Sequence, residues 1–362
     1  MQGAEPLISV IMSVFNGAGF LREAVDSIRD QSFRDFEFIV INDGSTDGSA
    51  AILDGYRRRD ARVRVIHQEN KGLVAALNRG CALARGRYIA RMDADDVAVG
   101  NRLLWQMTFM EAHPEVGVLG GAVDVIDIDH NMIKEYCANP ETDREIRNVM
   151  LDTCPFWHPT VFMRREIFRQ LGGYRDNVFG AEDYDLWLRA AEHCGLANLK
   201  AVLLHYRLHP SQVTVSKIRQ LAFSTLAVQA AAKARSAGRP DPLDGGVEVT
   251  PSLLVALGVD EVKQQAALAE RYLWSIGTLC AQQQHGVAFN VFSDMLLSCK
   301  WTAACKRTTA DLRLLAGQLY WRRGMFLKGI ASATYAALTR PVILGRPVKP
   351  MLRWLRLQTA RW

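Results

Sequence analysis

Two spacings of apolar residues alternate along the first hundred positions. Leu7 to Val14 is an apolar run interrupted only by Ser9 and Ser13, of the length and composition of a buried strand. From Gly19 to Asp30 the apolar residues fall at Phe20, Leu21, Ala24, Val25 and Ile28, the three-and-four spacing of a helix with one buried face. The alternation continues with strands over Phe36 to Ile41, Val63 to His67 and Tyr88 to Met92, and helices over Ser49 to Arg58 and Leu73 to Arg85. Strands that alternate with helices predict an α/β fold with a doubly wound, mostly parallel, Rossmann-like sheet. Such sheets bind ligands at the carboxyl ends of their strands, so the loops after Val14, Ile41, His67 and Met92 are expected to share one crevice.

Those four loops hold the polar residues. Ser13, Phe15 and Asn16 flank the end of the first strand, Asn42 to Ser49 follow the second, and Asn70-Lys71-Gly72 follow the third. After the fourth come Met92-Asp93-Ala94-Asp95-Asp96, whose carboxylates repel one another unless a cation or hydrogen-bond donors hold them. A hard divalent ion, Mg2+ or Mn2+, that bridges to substrate phosphates suits such oxygen ligands. Equally, Asp95 or Asp96 can cap a helix that begins near Asn101. Singly, the other residues have ordinary roles: Asn42 to Ser49 as turn and cap, Phe15 as core, Lys71 as a solvated charge.

Charge divides the chain. Residues 1–215 carry 24 Lys/Arg against 30 Asp/Glu, whereas 216–362 carry 20 against 8. Beyond Asp311 there are ten Lys/Arg and no acidic residue, and the final stretch from Met351 to Trp362 mixes Trp and Leu with Arg, as helices at a membrane surface do. The seven scattered cysteines form no zinc-like spacing, and the N-terminus lacks the basic and apolar regions of a signal peptide. A cytoplasmic protein is expected, peripheral to the inner face of the membrane through its basic tail. The tail matches no nucleic-acid-binding module, so no nucleic acid is expected.

The stretches Ser9 to Asn16, Val40 to Ser49, Asn70 to Asn78, Met92 to Asp96, Gly172-Gly173-Tyr174 and Ala181 to Trp187, taken in order, resemble the inverting family 2 glycosyltransferases, which have the nucleotide-diphospho-sugar-binding GT-A fold. The resemblance covers about the first 215 residues, and Met12 departs from it where many relatives carry Pro. It implies a UDP-sugar donor and a glycan or lipid-linked acceptor. Phe15 would stack on uracil and Asp43 would accept its imide N–H, with Ser13, Asn16, Lys71, Gly72, Asn78, Asp93 and Ala94 around the nucleotide sugar. Asp95 would ligate Mn2+ or Mg2+, with His209 as a further ligand and Arg207 on phosphate. Asp183 would be the base that takes the acceptor hydroxyl proton, supported by Glu182, with His158 and Trp187 on the acceptor side. Without the resemblance, Glu182, Asp183 and Asp185 read as first-turn acids of a helix over Tyr184 to His193. Donor choice is expected to depend on loops near Gly120 to Asp129 and Thr153 to His158.

The expected organisation is a catalytic domain over 1–218, a connection over 219–250 with a Pro/Gly-rich break at Gly238 to Gly246, and a helical region over 251–362. Helices are expected over Ala266 to Gln284, Gly286 to Cys299, Asp311 to Arg323 and Met325 to Leu338. Two other readings remain at this point. A sugar nucleotidyltransferase would need a basic, Gly-rich loop after the first strand, which Phe15 to Gly19 does not supply, and a nucleotide-sugar-binding regulator would bind without turnover.

Overall fold

A computed structural model describes residues 5–209, 217–281, 283–299 and 306–339. The chain divides into two units, one of residues 1–209 with 227–248 and one of 210–226 with 249–362. The expected tail helix at 351–362 and the segment 210–216 lie outside the described residues.

In the first unit, β1 (Ile8–Val14), β2 (Phe36–Asp43), β3 (Val63–Gln68) and β4 (Tyr88–Met92) lie side by side in the order β3-β2-β1-β4, all parallel. Their crossovers are α1 (Leu21–Arg29), α2 (Ser49–Arg59) and α3 (Leu73–Ala82). The strands are apolar because both faces are covered, and Ile8, Val10, Met12, Phe38, Val40 and Ala90 all sit in one core cluster. This half agrees with the sequence pattern to within a few residues, except that α3 ends at Ala82, short of Arg85.

The sheet then turns mixed. β8 (Phe162–Arg164) is antiparallel to both β4 and β6 (Val116–Ile126), and β9 (Gly195–Arg207) runs parallel to β6. The short β5 (Val97–Ala98) pairs antiparallel with the end of β9, and β7 (Met132–Cys137) forms a hairpin with β6. Gly120 to Ile126, expected as a loop, is therefore strand. The helices of this half are α4 (Arg102–Ala112), α5 (Asp143–Val149), α6 (Arg165–Gln170) and α7 (Glu182–Ala190), the last starting two residues earlier than expected. No side chain caps α4, whose N-cap position is Asn101, so the capping role considered for Asp95 and Asp96 is not the one they take.

The second unit is helical, with α9 (Pro251–Ala256), α10 (Glu261–Ala281), α11 (His285–Ser298), α12 (Lys306–Arg322) and α13 (Phe326–Thr339). The preceding helix, α8 (Ile218–Ser236), is counted from Ala227 onward with the first unit. No described helix is long and apolar enough to cross a membrane.

Candidate active site

The end of β4 delivers the acidic cluster. Ligand oxygens of Asp93, Asp95 and Asp96 lie within 4.8 Å of one another. Asp96 is buried, and burial together with Asp95 and Asp93 holds its carboxyl well above the usual carboxylate range. One Asp96 oxygen accepts the Arg207 backbone N–H at 2.8 Å, while Oδ2 is buried without a hydrogen-bond partner. An orphaned carboxylate oxygen beside two more carboxylates is costly in a protein alone and is well suited to a hard cation. The donor set therefore fits Mg2+ or Mn2+.

Behind the cluster sits a residue that motif reading missed. Arg91, buried in the middle of the sheet on β4, donates to the Asp93 carboxylate and to the Met92 carbonyl. Its charge is also felt at Asp96, His158, Tyr174 and Glu182. An arginine in an otherwise apolar central strand, Tyr88-Ile89-Ala90-Arg91-Met92, is the signal that could have found it.

The start of α7 supplies the second acidic pair. Asp183 Oδ1 accepts the Tyr184 backbone N–H at 2.7 Å, and Asp183 Oδ2 lies 4.0 Å from His158 Nδ1. Burial, with Arg91 adding to it, holds His158 well below its usual value, so its ring is neutral. The other ring nitrogen, Nε2, is 3.0 Å from the Tyr174 hydroxyl. Trp187, expected on the acceptor side, is fully buried and packs edge-on against His158 and Phe156, so it supports His158 from behind. Glu182 is buried too; burial and the neighbouring Asp183 push its carboxyl up to about 7.

At the ends of the first three strands, where the nucleotide is expected, Phe15 stands 54% exposed beyond β1. Asn16 adopts a positive φ of 52°, and its side-chain oxygen accepts the Thr46 N–H at 2.8 Å, tying the first loop to the second. Asp43 is buried and ties the second loop to the third, accepting Gln68 Nε2 at 2.6 Å, Lys71 N at 2.9 Å and Gly72 N at 2.9 Å. Its Oδ2 takes only the Gly72 N–H among these, which leaves acceptor capacity for a base. Asn78 is committed elsewhere: it holds the Tyr174 backbone through its Nδ2 at 2.8 Å and Oδ1 at 2.9 Å. That link sets Lys71 and Gly72 on one wall of a cavity of about 450 Å3 and Tyr174 and Phe179 on another. Ser13 and Ala94 are half-buried at the ends of β1 and β4, and Lys71 is exposed.

The segment that ends β9 closes the acidic side. His209 Nε2 lies 2.8 Å from Asp95 Oδ2, and its ring packs on Phe20 with centroids 5.0 Å apart. Arg207 differs from expectation. Its guanidinium is fully buried, pairs with Glu23 at 2.7 Å, donates to the Asp95 carbonyl at 2.8 Å and covers the Phe20 ring. It braces the aspartate loop.

The family profile described as glycosyl transferase family 2 matches residues 9–172. The O-antigen biosynthesis glycosyltransferase WbnJ of Escherichia coli is 34% identical over 207 residues, 56% of this chain and 80% of the relative. Among solved structures, S. aureus TarS in complex with UDP-GlcNAc aligns with a TM-score of 0.51 at 18% identity, covering 93% of this chain and 92% of that one. The mannosyltransferase PcManGT from Pyrobaculum calidifontis in complex with GDP-Man and Mn2+ aligns with a TM-score of 0.50 at 18% identity, covering 93% and 89%. At such identity the two structures show a shared fold.

Proposed function

The chain belongs to glycosyltransferase family 2 and is a glycosyltransferase, and from that premise we propose a metal-dependent, inverting transfer of a sugar from a UDP-sugar to an acceptor hydroxyl. The observation that carries this reading is the three-aspartate cluster with its partnerless Asp96 oxygen. Asp95 and Asp96 would hold Mn2+ or Mg2+, with His209 against Asp95. When bound, the ion would neutralise charge on the departing nucleoside diphosphate. Phe15 would stack on the base, Asp43 would accept its imide N–H, and Lys71 would meet phosphate.

Asp183 would act on the acceptor. As the hydroxyl oxygen attacks the anomeric carbon, the bond to the diphosphate breaks and the hydroxyl proton passes to Asp183. Inversion follows from the single displacement. The His158 ring, neutral and 4.0 Å from that carboxylate, would line the acceptor side of the site.

The bound UDP-GlcNAc of TarS, the GDP-Man and Mn2+ of the mannosyltransferase and the O-antigen role in the name of WbnJ support a nucleotide-sugar donor and a surface polysaccharide or lipid-linked oligosaccharide acceptor. The proposed setting is the inner face of the membrane, with the basic segment 340–362 in contact with it. Incubation with a panel of UDP- and GDP-sugars, Mn2+ and an acceptor pool should release UDP. EDTA and Asp183→Asn should each abolish transfer. Undiminished transfer by Asp183→Asn would remove the base assignment, and release of GDP alone would remove the UDP assignment.

A further inference from the structure

Helix α13 (Phe326–Thr339) is arranged inside out. Among its described side chains the buried positions are Gly329, Ser332 and Ala336, with Ala333 half-buried beside them. These small residues let its backbone approach α12 (Lys306–Arg322) closely: a Cβ on Gly329 would lie 3.1 Å from the Gly317 carbonyl oxygen. The large residues point the other way, with Leu327 85%, Leu338 80% and Ile330 54% exposed. At about 100° per residue, Leu327, Ile330, Ala331, Thr334 and Leu338 fall within one arc that contains no charge.

A helix on a water-facing surface turns its large apolar residues inward, because burying each Leu or Ile is worth about 1.5–3 kcal/mol. Small residues at the helix–helix contact with large apolar residues outside is what helices adopt where the outer medium is hydrocarbon. The turn between α12 and α13 fits a boundary between water and lipid. Trp321 is exposed there and packs edge-on against Phe326, with centroids 4.9 Å apart, and amphipathic aromatics favour that boundary. Arg322 and Arg323 stand at that turn, Arg323 covering the Phe289 ring of α11 and Lys328 of α13 reaching over the Tyr320 ring, and the sequence beyond Asp311 has ten Lys/Arg with no carboxylate. With 14 residues, α13 is about 21 Å long, too short to span a bilayer and suited to lying in its surface. A second copy of the chain is a poorer occupant, since a symmetric contact would bring basic flanks together with no acidic residue of that stretch to meet them.

We propose that the outward face of α13, led by Leu327, Ile330 and Leu338, docks on an anionic lipid surface, drawn there by the all-basic charge of the stretch beyond Asp311. It rests on the helical unit alone, and neither on the donor chemistry nor on the contact proposed for 340–362. The test is co-sedimentation of the full chain with vesicles of phosphatidylcholine alone or mixed with phosphatidylglycerol. The wild-type chain should sediment with the mixed vesicles and much less with the neutral ones. Combined Leu327→Gln, Ile330→Gln and Leu338→Gln, with the basic tail intact and the far-UV circular dichroism unchanged, should weaken binding at least about tenfold. A parallel chain with Arg353→Gln, Arg356→Gln and Arg361→Gln should keep the α13-dependent part. Three results would overturn the proposal: a wild-type chain that ignores anionic vesicles, a triple Gln chain that binds like wild type, or a lipid-free dimer that the triple substitution dissociates.

Discussion

Arg91 and Glu182 show how charge is placed at the level of single residues. Three clustered carboxylates would repel, and Arg91 on the strand that carries them offsets part of that repulsion before any ion arrives. Glu182 is the opposite case, an acid whose carboxyl burial and Asp183 raise from 4.5 to about 7. Between those values the folded chain keeps a proton that the unfolded chain releases. The contribution to stability is therefore complete below about pH 4.5 and is lost as pH rises through about 7. Glu182→Gln should match wild type in urea unfolding at pH 4.5 and exceed it at pH 8 by on the order of 2 kcal/mol. Equal stability of the two at pH 8 would show that the carboxyl is not perturbed. The acids themselves were legible because they are close in sequence: Asp93, Asp95, Asp96, Glu182 and Asp183. Their partners were not. Arg207 meets Glu23 across 184 positions, and nothing local to either residue marks that pairing.

At the scale of elements, the parallel half could be read from periodicity because strands covered on both faces are continuous apolar runs. β6 escaped the reading because Gly117, Gly120 and Gly121 interrupt its apolar pattern, and the reason they are glycine lies elsewhere in the fold. A Cβ on Gly121 would lie 2.5 Å from the Leu203 side chain of β9. A similar constraint joins the loops after β2 and β3. Gly44 has φ of 75°, and a Cβ there would lie 2.6 Å from the Asn70 backbone nitrogen. Gly44→Ala should cost about 1–3 kcal/mol in urea unfolding from the backbone conformation alone, with the clash adding to it. Because the displaced loop carries Lys71 and Gly72, which bind Asp43, UDP affinity should fall in the same variant. A calorimetric titration that finds wild-type UDP affinity would show that the loops act independently.

For the whole molecule, composition reveals the acidic front and basic back of the chain, but not what holds the residues between them. Within the Pro/Gly-rich break at Gly238 to Gly246, Asp241 accepts Arg175 at 2.9 Å and Arg235 at 2.7 Å, and Asn177 donates to the Leu243 carbonyl at 3.1 Å. Arg175 and Asn177, each 66 positions from its partner, fasten that break to the first unit, which no local composition reveals. The charge division has a consequence for the donor. Residues 1–215 carry six more acidic than basic side chains, and a nucleoside diphosphate brought to the end of β4 meets three carboxylates. On the proposed reading, binding of UDP without a cation would work against that field, whereas Mn2+ would turn the same carboxylates into ligands. A ligand at 100 times its Kd stabilises the folded state by about 2.7 kcal/mol, enough to raise Tm by a few degrees. Differential scanning fluorimetry should therefore give a clear upward shift with UDP and Mn2+ together, a small one with UDP alone, and loss of the Mn2+-dependent part in Asp95→Asn. A shift from UDP that is equally large in EDTA would instead place the nucleotide away from the aspartates.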